Sequence, residues 1–346
     1  MIQFQCDYNE GAHPALLQRL VETNKEQTVG YGEDAYCEEA RELIRKACGL
    51  PEAAVHFLVG GTQTNTTVIA HILRPHQGVI AADTGHINVH ETGAIEHTGH
   101  KVLAIPSADG KLRAQQVKEA IEAHANDSTF EHMVQPGMVY ISFPTEVGTL
   151  YSRQELEDLY EVCRSYHLPL FIDGARLGYG LCSPACDMSL ADLAHCCDIF
   201  YIGGTKVGAL FGEAVVITQP EWQRDFRYSI KQHGGMLAKG RLLGLQFGAL
   251  FTDDLYFRIA GNAIRQAIRI KTTLEELNYS FRYESDTNQQ FPIFPDHVLE
   301  QLNRDFLFSF WEKTDETHTA VRICTSWATT EEQTTQLIDA LRKIRQ

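Results

Sequence analysis

Two short apolar runs, LPLFID at 168–173 and DIFYIG at 198–203, constrain this chain more than any other stretch. Both read as buried strands, because unbroken apolar runs of that length lack the alternation of a strand with one wet face. The first ends on Asp173, with Arg176 soon after it. The second runs through a Gly-Gly-Thr turn into Lys206, and another small-residue run follows. An acid, a guanidinium and an amine therefore stand just beyond the C-terminal ends of two candidate strands, where open α/β sheets gather their ligands.

One cofactor chemistry uses this set well. Pyridoxal phosphate needs a lysine amine for a Schiff base and an acid that keeps its pyridine nitrogen protonated, so that the ring acts as an electron sink. An arginine beside it takes an amino-acid carboxylate in a two-point grip. Read as isolated residues, the same three equally make a structural Asp173–Arg176 pair next to a lysine in an exposed turn. Glycines on both sides of Lys206 shift the balance, since they permit a close backbone approach that ordinary surface does not need.

IDGARLG (172–178) followed by YIGGTKVGALFG (201–212) resembles the threonine aldolase and β-eliminating lyase family. The resemblance covers most of the chain. It implies an α/β fold: a fold type I pyridoxal-phosphate transferase-like large domain with a mostly parallel central sheet, plus a small α+β C-terminal domain. It implies that Asp173 pairs with the pyridine nitrogen of pyridoxal 5′-phosphate, Arg176 holds the substrate carboxylate and Lys206 carries the Schiff base, with Thr205 as a further cofactor contact.

Other segments fit the same pattern. GGTQTN (60–65) is a strand-to-helix corner whose free N–H groups suit a phosphate, although such corners are common. Its likeness to the family's SGTMAN segment implies phosphate binding by Gly61 and Thr62, with Asn65 matching as well. GHI…HETGA (85–94) is similar to the segment whose histidine stacks over the cofactor, which implies that role for His86 and a supporting one for Glu91. An imidazole also suits proton transfer near neutrality, while surface is the default for most histidines nearby. Cys6-Asp7-Tyr8 takes the place of an SDT-type segment that contacts substrate, with Cys6 a weaker hydrogen-bonder than serine. YGED (31–34) is similar to a segment that reaches the neighbouring subunit's site, so Tyr31 is expected as a cross-subunit substrate contact in a homo-oligomer, dimer or tetramer. Arg322, between Val321 and Ile323, is by position an edge charge or a ligand contact. The family strand it resembles implies a second arginine for the substrate carboxylate. Two segments depart from the pattern. PTEVGT (144–149) replaces a THN-type loop and brings Glu146 toward ring or substrate, and Leu237 stands where relatives carry a phosphate-binding arginine, with Lys239 and Arg241 as candidate substitutes.

A chain of 346 residues exceeds one ordinary core. The divisions expected are an arm at 1–15, a large cofactor domain at 16–245, and a bridging helix with a small domain at 246–346. The arm reads as a loop, 236–275 as one long helical region, and NYSFRYES near 280 as a strand. Asp34 and Ser152 are helix caps, the latter completed by Glu155, and Gly49 ends the first of these helices. Leu16, Leu17, Leu20 and Val21 make an apolar stripe on an earlier helix. The net charge of −15 argues against a nucleic-acid partner, and no apolar run reaches the length of a membrane span. The N-terminus lacks the basic and apolar segments of an export signal, and nine irregularly spaced cysteines read as free thiols, so a cytoplasmic location is expected. Cys182, Cys186, His195, Cys196 and Cys197 match no zinc-ligand spacing, and no metal is expected. The resemblance implies cleavage of a β-hydroxy amino acid of the L-threonine or L-allo-threonine type to glycine and an aldehyde. β-Elimination is the alternative, and a non-catalytic binding protein of the same fold is the third reading.

Overall fold

The inner strands of the main sheet are buried on both faces and send alternate side chains to each. The computed structural model describes residues 1–345. A two-residue strand, β1 (Ile2–Gln3), is followed by β2 (Ala54–Leu58), β3 (Gln77–Ala82), β4 (Lys101–Ile105), β5 (Gln135–Ser142), β6 (Leu170–Asp173), β7 (Ile199–Gly203) and β8 (Glu213–Ile217). Ile80, Ile141, Ile172, Phe200 and Val216 join the core on one face; Val79, Tyr140, Phe171, Tyr201 and Val215 join that on the other. Burial on two faces is why LPLFID and DIFYIG look continuously apolar.

The strands lie in the order β2-β8-β7-β6-β5-β3-β4. All run parallel except β8, which is antiparallel to both its neighbours. A reversed strand has its first residue where the others have their last. Glu213 is therefore flanked in the ladder by Leu58 and Gly203, the final residues of β2 and β7. Ser142 lies opposite Asp173 at the same edge. The chain leaves β6 and β7 in tight contact: a Cβ on Gly174 would lie 1.8 Å from the Tyr201 carbonyl oxygen, so only glycine fits.

The helix signals are met locally. Asp34 accepts the Cys37 N–H at 3.0 Å, and Gly49 closes helix Ala35–Cys48 in the left-handed region at φ 66°. Ser152 and Glu155 form a reciprocal capping box on helix Arg153–Ser165.

The smaller sheet contains β9 (Gln289–Gln290), β10 (Ile293–Pro295), β12 (Ser309–Lys313) and β13 (His318–Cys324), and β11 (Phe306–Leu307) lies outside it. Here β13 is central and antiparallel to β9, β10 and β12, while β11 pairs with β1. Its core gathers Ile270, Leu274, Phe294, Val321 and Leu337, with Phe4 from the N-terminus.

Three sequence expectations are corrected. The arm is not all loop, because β1 joins β11 in a parallel pair and Phe4 is buried. NYSFRYES contributes a single bridge, Phe281 to Pro292, rather than a strand. The region 236–275 contains two helices, Arg241–Phe251 and Leu255–Glu276, broken where Asp253 and Asp254 take φ 50° and 54°. Aspartate tolerates that left-handed conformation better than most residues, so the break needs no glycine. Residue 245 lies inside the first of these helices. Of the apolar stripe on helix Pro14–Glu22, Leu16 is buried, whereas Leu17 is 43% and Val21 73% exposed.

Candidate active site

The edge where the strand ends meet opens into a cavity of about 370 Å³ whose lining includes Gly60–Thr62, His86, Glu146, Asp173, Arg176, Thr205, Lys206 and Glu213. Asp173 is its best-held acid. One carboxylate oxygen accepts the Ala175 N–H at 3.0 Å and the Tyr201 hydroxyl; the other accepts the Tyr140 hydroxyl at 2.6 Å and the Asn65 amide at 3.1 Å. Burial alone would raise this carboxyl. The His86 imidazole, the two phenols and the Ala175 N–H outweigh burial and hold it below the usual carboxylate range.

Lys206 is partly buried, and its amine has no hydrogen bond or ion pair among the described residues. Burial and the Arg176 charge push it below an ordinary lysine, against the pull of Asp7, Asp173 and Glu213. Burial also depresses His86, but a 2.7 Å bond from Nδ1 to Glu91 and the Asp173 charge win, leaving the imidazole above its usual value. Glu91 is buried and takes the Asn65 amide at 2.7 Å on the same oxygen. Glu146 accepts the His86 backbone N–H at 2.9 Å and the Ser142 hydroxyl; burial, aided by Asp173, raises its carboxyl despite those bonds.

Arg176 does not pair with Asp173. Its Nε and Nη2 donate to the two oxygens of Asp7 at 2.7 and 3.0 Å, and Asn288 donates to Asp7 at 2.8 Å. This leaves Arg176 Nη1 without a partner among the described residues. Burial would raise Asp7, yet Arg176 and Lys206 bring it down to about 2.

Helix Gly61–Ile72 begins without a side-chain cap, and its first turn closes with Thr64 N–H to Gly60 O at 3.0 Å. Among the described residues the N–H groups of Gly61, Thr62 and Gln63 at this helix start have no hydrogen-bond acceptor, and Gly61 and Thr62 line the cavity. A Cβ at Gly60 would meet nothing within 4 Å, so the space in front of them is open.

The remaining sequence candidates lie outside the cavity lining among the described residues. Glu91 stands behind His86. Arg322 donates to the Gln5 carbonyl at 3.2 Å and to Gln289 at 3.3 Å, and its buried Nε has no partner among the described residues. The Cys6 thiol donates to Asn9 at 2.9 Å. Tyr31 is 49% exposed, with the Lys231 amine 5.0 Å above its ring. Lys239 is exposed, and Arg241 is committed to the Thr23 and Glu26 carbonyls at 2.7 and 2.9 Å.

Sequence reasoning passed over Tyr140, Tyr201, Glu213 and the Asp7–Arg176 pair. The signal for Glu213 was present: one acid opening an otherwise apolar strand, just past the lysine turn. The tyrosines look like ordinary strand residues until β5 and β7 flank β6.

A mostly parallel sheet with one reversed strand, an acid closing β6 and a lysine just after β7 make this a fold type I α/β protein. Thermus thermophilus aspartate aminotransferase shares that fold, at a TM-score of 0.70 over 99% of this chain and 91% of that one, with 14% identity. The chain belongs to the beta-eliminating lyase family, whose model matches residues 3–296. A solved structure of Leishmania major threonine aldolase is similar over 100% of both chains, with a TM-score of 0.97 and 43% identity. A low specificity L-threonine aldolase of Pseudomonas aeruginosa is 29% identical over 267 residues, 77% of this chain and 76% of the relative. Another from a Pseudomonas species is 26% identical over 349 residues, 99% and 97% of the two.

Proposed function

We propose that this protein binds pyridoxal 5′-phosphate and cleaves the Cα–Cβ bond of a β-hydroxy amino acid of the L-threonine or L-allo-threonine type, releasing glycine and an aldehyde. The observation that carries this reading is the Lys206 amine, without a partner among the described residues, sharing one cavity with the ionised Asp173 and the uncapped helix start at Gly61. Similarity to proteins named as threonine aldolases supports it.

The donor chemistry fits the cofactor. Gly61, Thr62 and Thr205 would hold its phosphate, Asp173 its ring nitrogen and His86 one ring face. When bound, it supplies an aldehyde carbon for the lysine and an electron sink for a carbanion at Cα. Lys206, with its depressed basicity, offers a neutral amine more readily than an exposed lysine does. Asp173 stays ionised because four donors satisfy its oxygens in a dry setting. Arg176 presents Nη1 to a substrate carboxylate, steadied by Asp7, and Arg322, on β13 of the smaller sheet, is the second candidate. His86, with Nδ1 fixed by Glu91, keeps Nε2 for the proton of the β-hydroxyl.

Product analysis separates this from β-elimination: aldol cleavage yields glycine and an aldehyde, elimination yields ammonia and a keto acid. Lys206→Ala is expected to abolish both turnover and the visible absorbance of bound cofactor. Turnover at the wild-type level would end the assignment of that lysine. A homo-oligomer is part of the same reading, supported by exposed Leu17, Val21, Val29 and Tyr31. So is a cytoplasmic location, supported by nine unpaired cysteines. Among the described residues no helix is long and apolar enough to cross a membrane.

A further inference from the structure

We propose that Glu213 is a proton-operated part of the phosphate cradle: as a neutral acid it lets Thr205 and the Gly60–Thr62 turn hold the cofactor phosphate, and as a carboxylate it opposes that. The inference rests on the cofactor reading above and adds a residue and a control to it.

The reversal of β8 puts Glu213 there. In the ladder it sits between the last residues of β2 and β7, the two strands that lead into Gly60–Gly61–Thr62 and Gly204–Thr205. Its side chain is buried at 4% exposure and engages the second of these turns directly. The Gly204 N–H donates to it at 3.2 Å and the Thr205 hydroxyl at 2.8 Å. Thr205 Oγ also accepts the Gly212 N–H at 3.0 Å.

Proton counting then decides what Thr205 can do. A hydroxyl has one proton to give and two lone pairs to fill. Facing a carboxylate, Thr205 spends its proton on Glu213 and has none for an anion in the cavity. Facing a protonated Glu213, the bond reverses. The acid donates to Thr205 Oγ, which still accepts from Gly212, and the threonine proton turns toward the phosphate. An ionised Glu213 would in addition set a like charge beside a phosphate dianion where little water screens it.

The groups that face Glu213 come from several elements. Lys206 draws its proton off, Asp173 holds it on, and the Tyr201 and Tyr256 phenols stand near enough to feel its charge. Burial is the largest influence and raises the carboxyl to about 8. The switch therefore lies within a range the protein can experience. Binding of the phosphate favours the neutral acid, so affinity is full below this value and is lost as pH rises through it.

The test compares pyridoxal phosphate with pyridoxal, which lacks the phosphate, on the full chain stripped of ligand. Dissociation constants are measured for the wild type and Glu213→Gln from about pH 7, where the phosphate is already dianionic, to about pH 9.5. Both ligands share any dependence arising at Lys206, so the difference between them isolates the phosphate. In the wild type, pyridoxal phosphate should lose about tenfold more affinity per pH unit than pyridoxal once pH exceeds about 8. In Glu213→Gln the two profiles should run parallel. An excess slope that persists in the variant, or is missing in the wild type, overturns the proposal. Should the variant not fold, calorimetry of the wild type in buffers of different ionisation enthalpy serves instead. Near pH 9, uptake of about one more proton with pyridoxal phosphate than with pyridoxal supports the proposal, and equal uptake overturns it. Failure of the wild type to bind either ligand would overturn the cofactor reading itself, a result distinct from binding of both with parallel profiles.

Discussion

Asp7 and Arg176 stabilise the fold in a pH-dependent way whose sign can be worked out. The Asp7 carboxyl falls to about 2 in the folded chain and reverts to an ordinary value near 4 on unfolding. A depressed carboxyl contributes stability that is fully present above the unfolded value and is lost as pH falls toward the folded one. The size is about 2.5 kcal/mol at neutral pH. Asp7→Asn should therefore cost that much or more in denaturant melts at pH 7, with the gap to wild type closing between about pH 4 and pH 2. A gap that stays constant across that window would show that the charge of Asp7 is not what stabilises. At this scale, legibility followed distance along the chain. Gly61, Thr62, Asp173 and Lys206 lie at the ends of their own strands or helices, so local pattern exposes them. The partner of Arg176 lies 169 positions away, and no local pattern reports it. Glu213 was signalled by an acid opening an apolar run, but such a run does not reveal whether its strand runs with the sheet or against it.

Among the elements, the turn after β6 is the least forgiving. Gly174→Ala would drive a methyl into the Tyr201 carbonyl, backbone against backbone, where neither side can yield cheaply. A loss of about 3 kcal/mol or more is expected in chemical denaturation. Gly248 in helix Arg241–Phe251 is the internal control, because a Cβ there meets nothing within 4 Å. Gly248→Ala should be neutral or gain about 0.5–1 kcal/mol. Similar losses at both positions would refute the steric account. Caps at Asp34 and Ser152 could be read from the sequence because they are settled within a few residues. The break at Asp253 and Asp254 could not, since an acid in the left-handed region looks in sequence like any other polar helix residue.

For the whole molecule, three packed cores use the apolar residues well, yet the first helix leaves Leu17 and Val21 in water. The sequence shows that stripe clearly and says nothing of which side chains this chain itself covers. If a second copy covers them, Val21→Glu should shift the sedimenting species to lower mass with little change in the circular dichroism of the subunit. An unchanged mass would place the interface elsewhere. Unbroken apolar runs such as LPLFID and DIFYIG mark strands buried on both faces, and the likeness of the motifs around them to a known family carried the fold class.

The opening strand is stitched to the smaller core through β11, and a few residues later Asp7 grips an arginine of the larger one. That short segment links the two cores by strand pairing at one end and a two-point ion pair at the other. Any displacement of the opening strand is therefore felt at the Arg176 guanidinium, through the same two bonds that orient it.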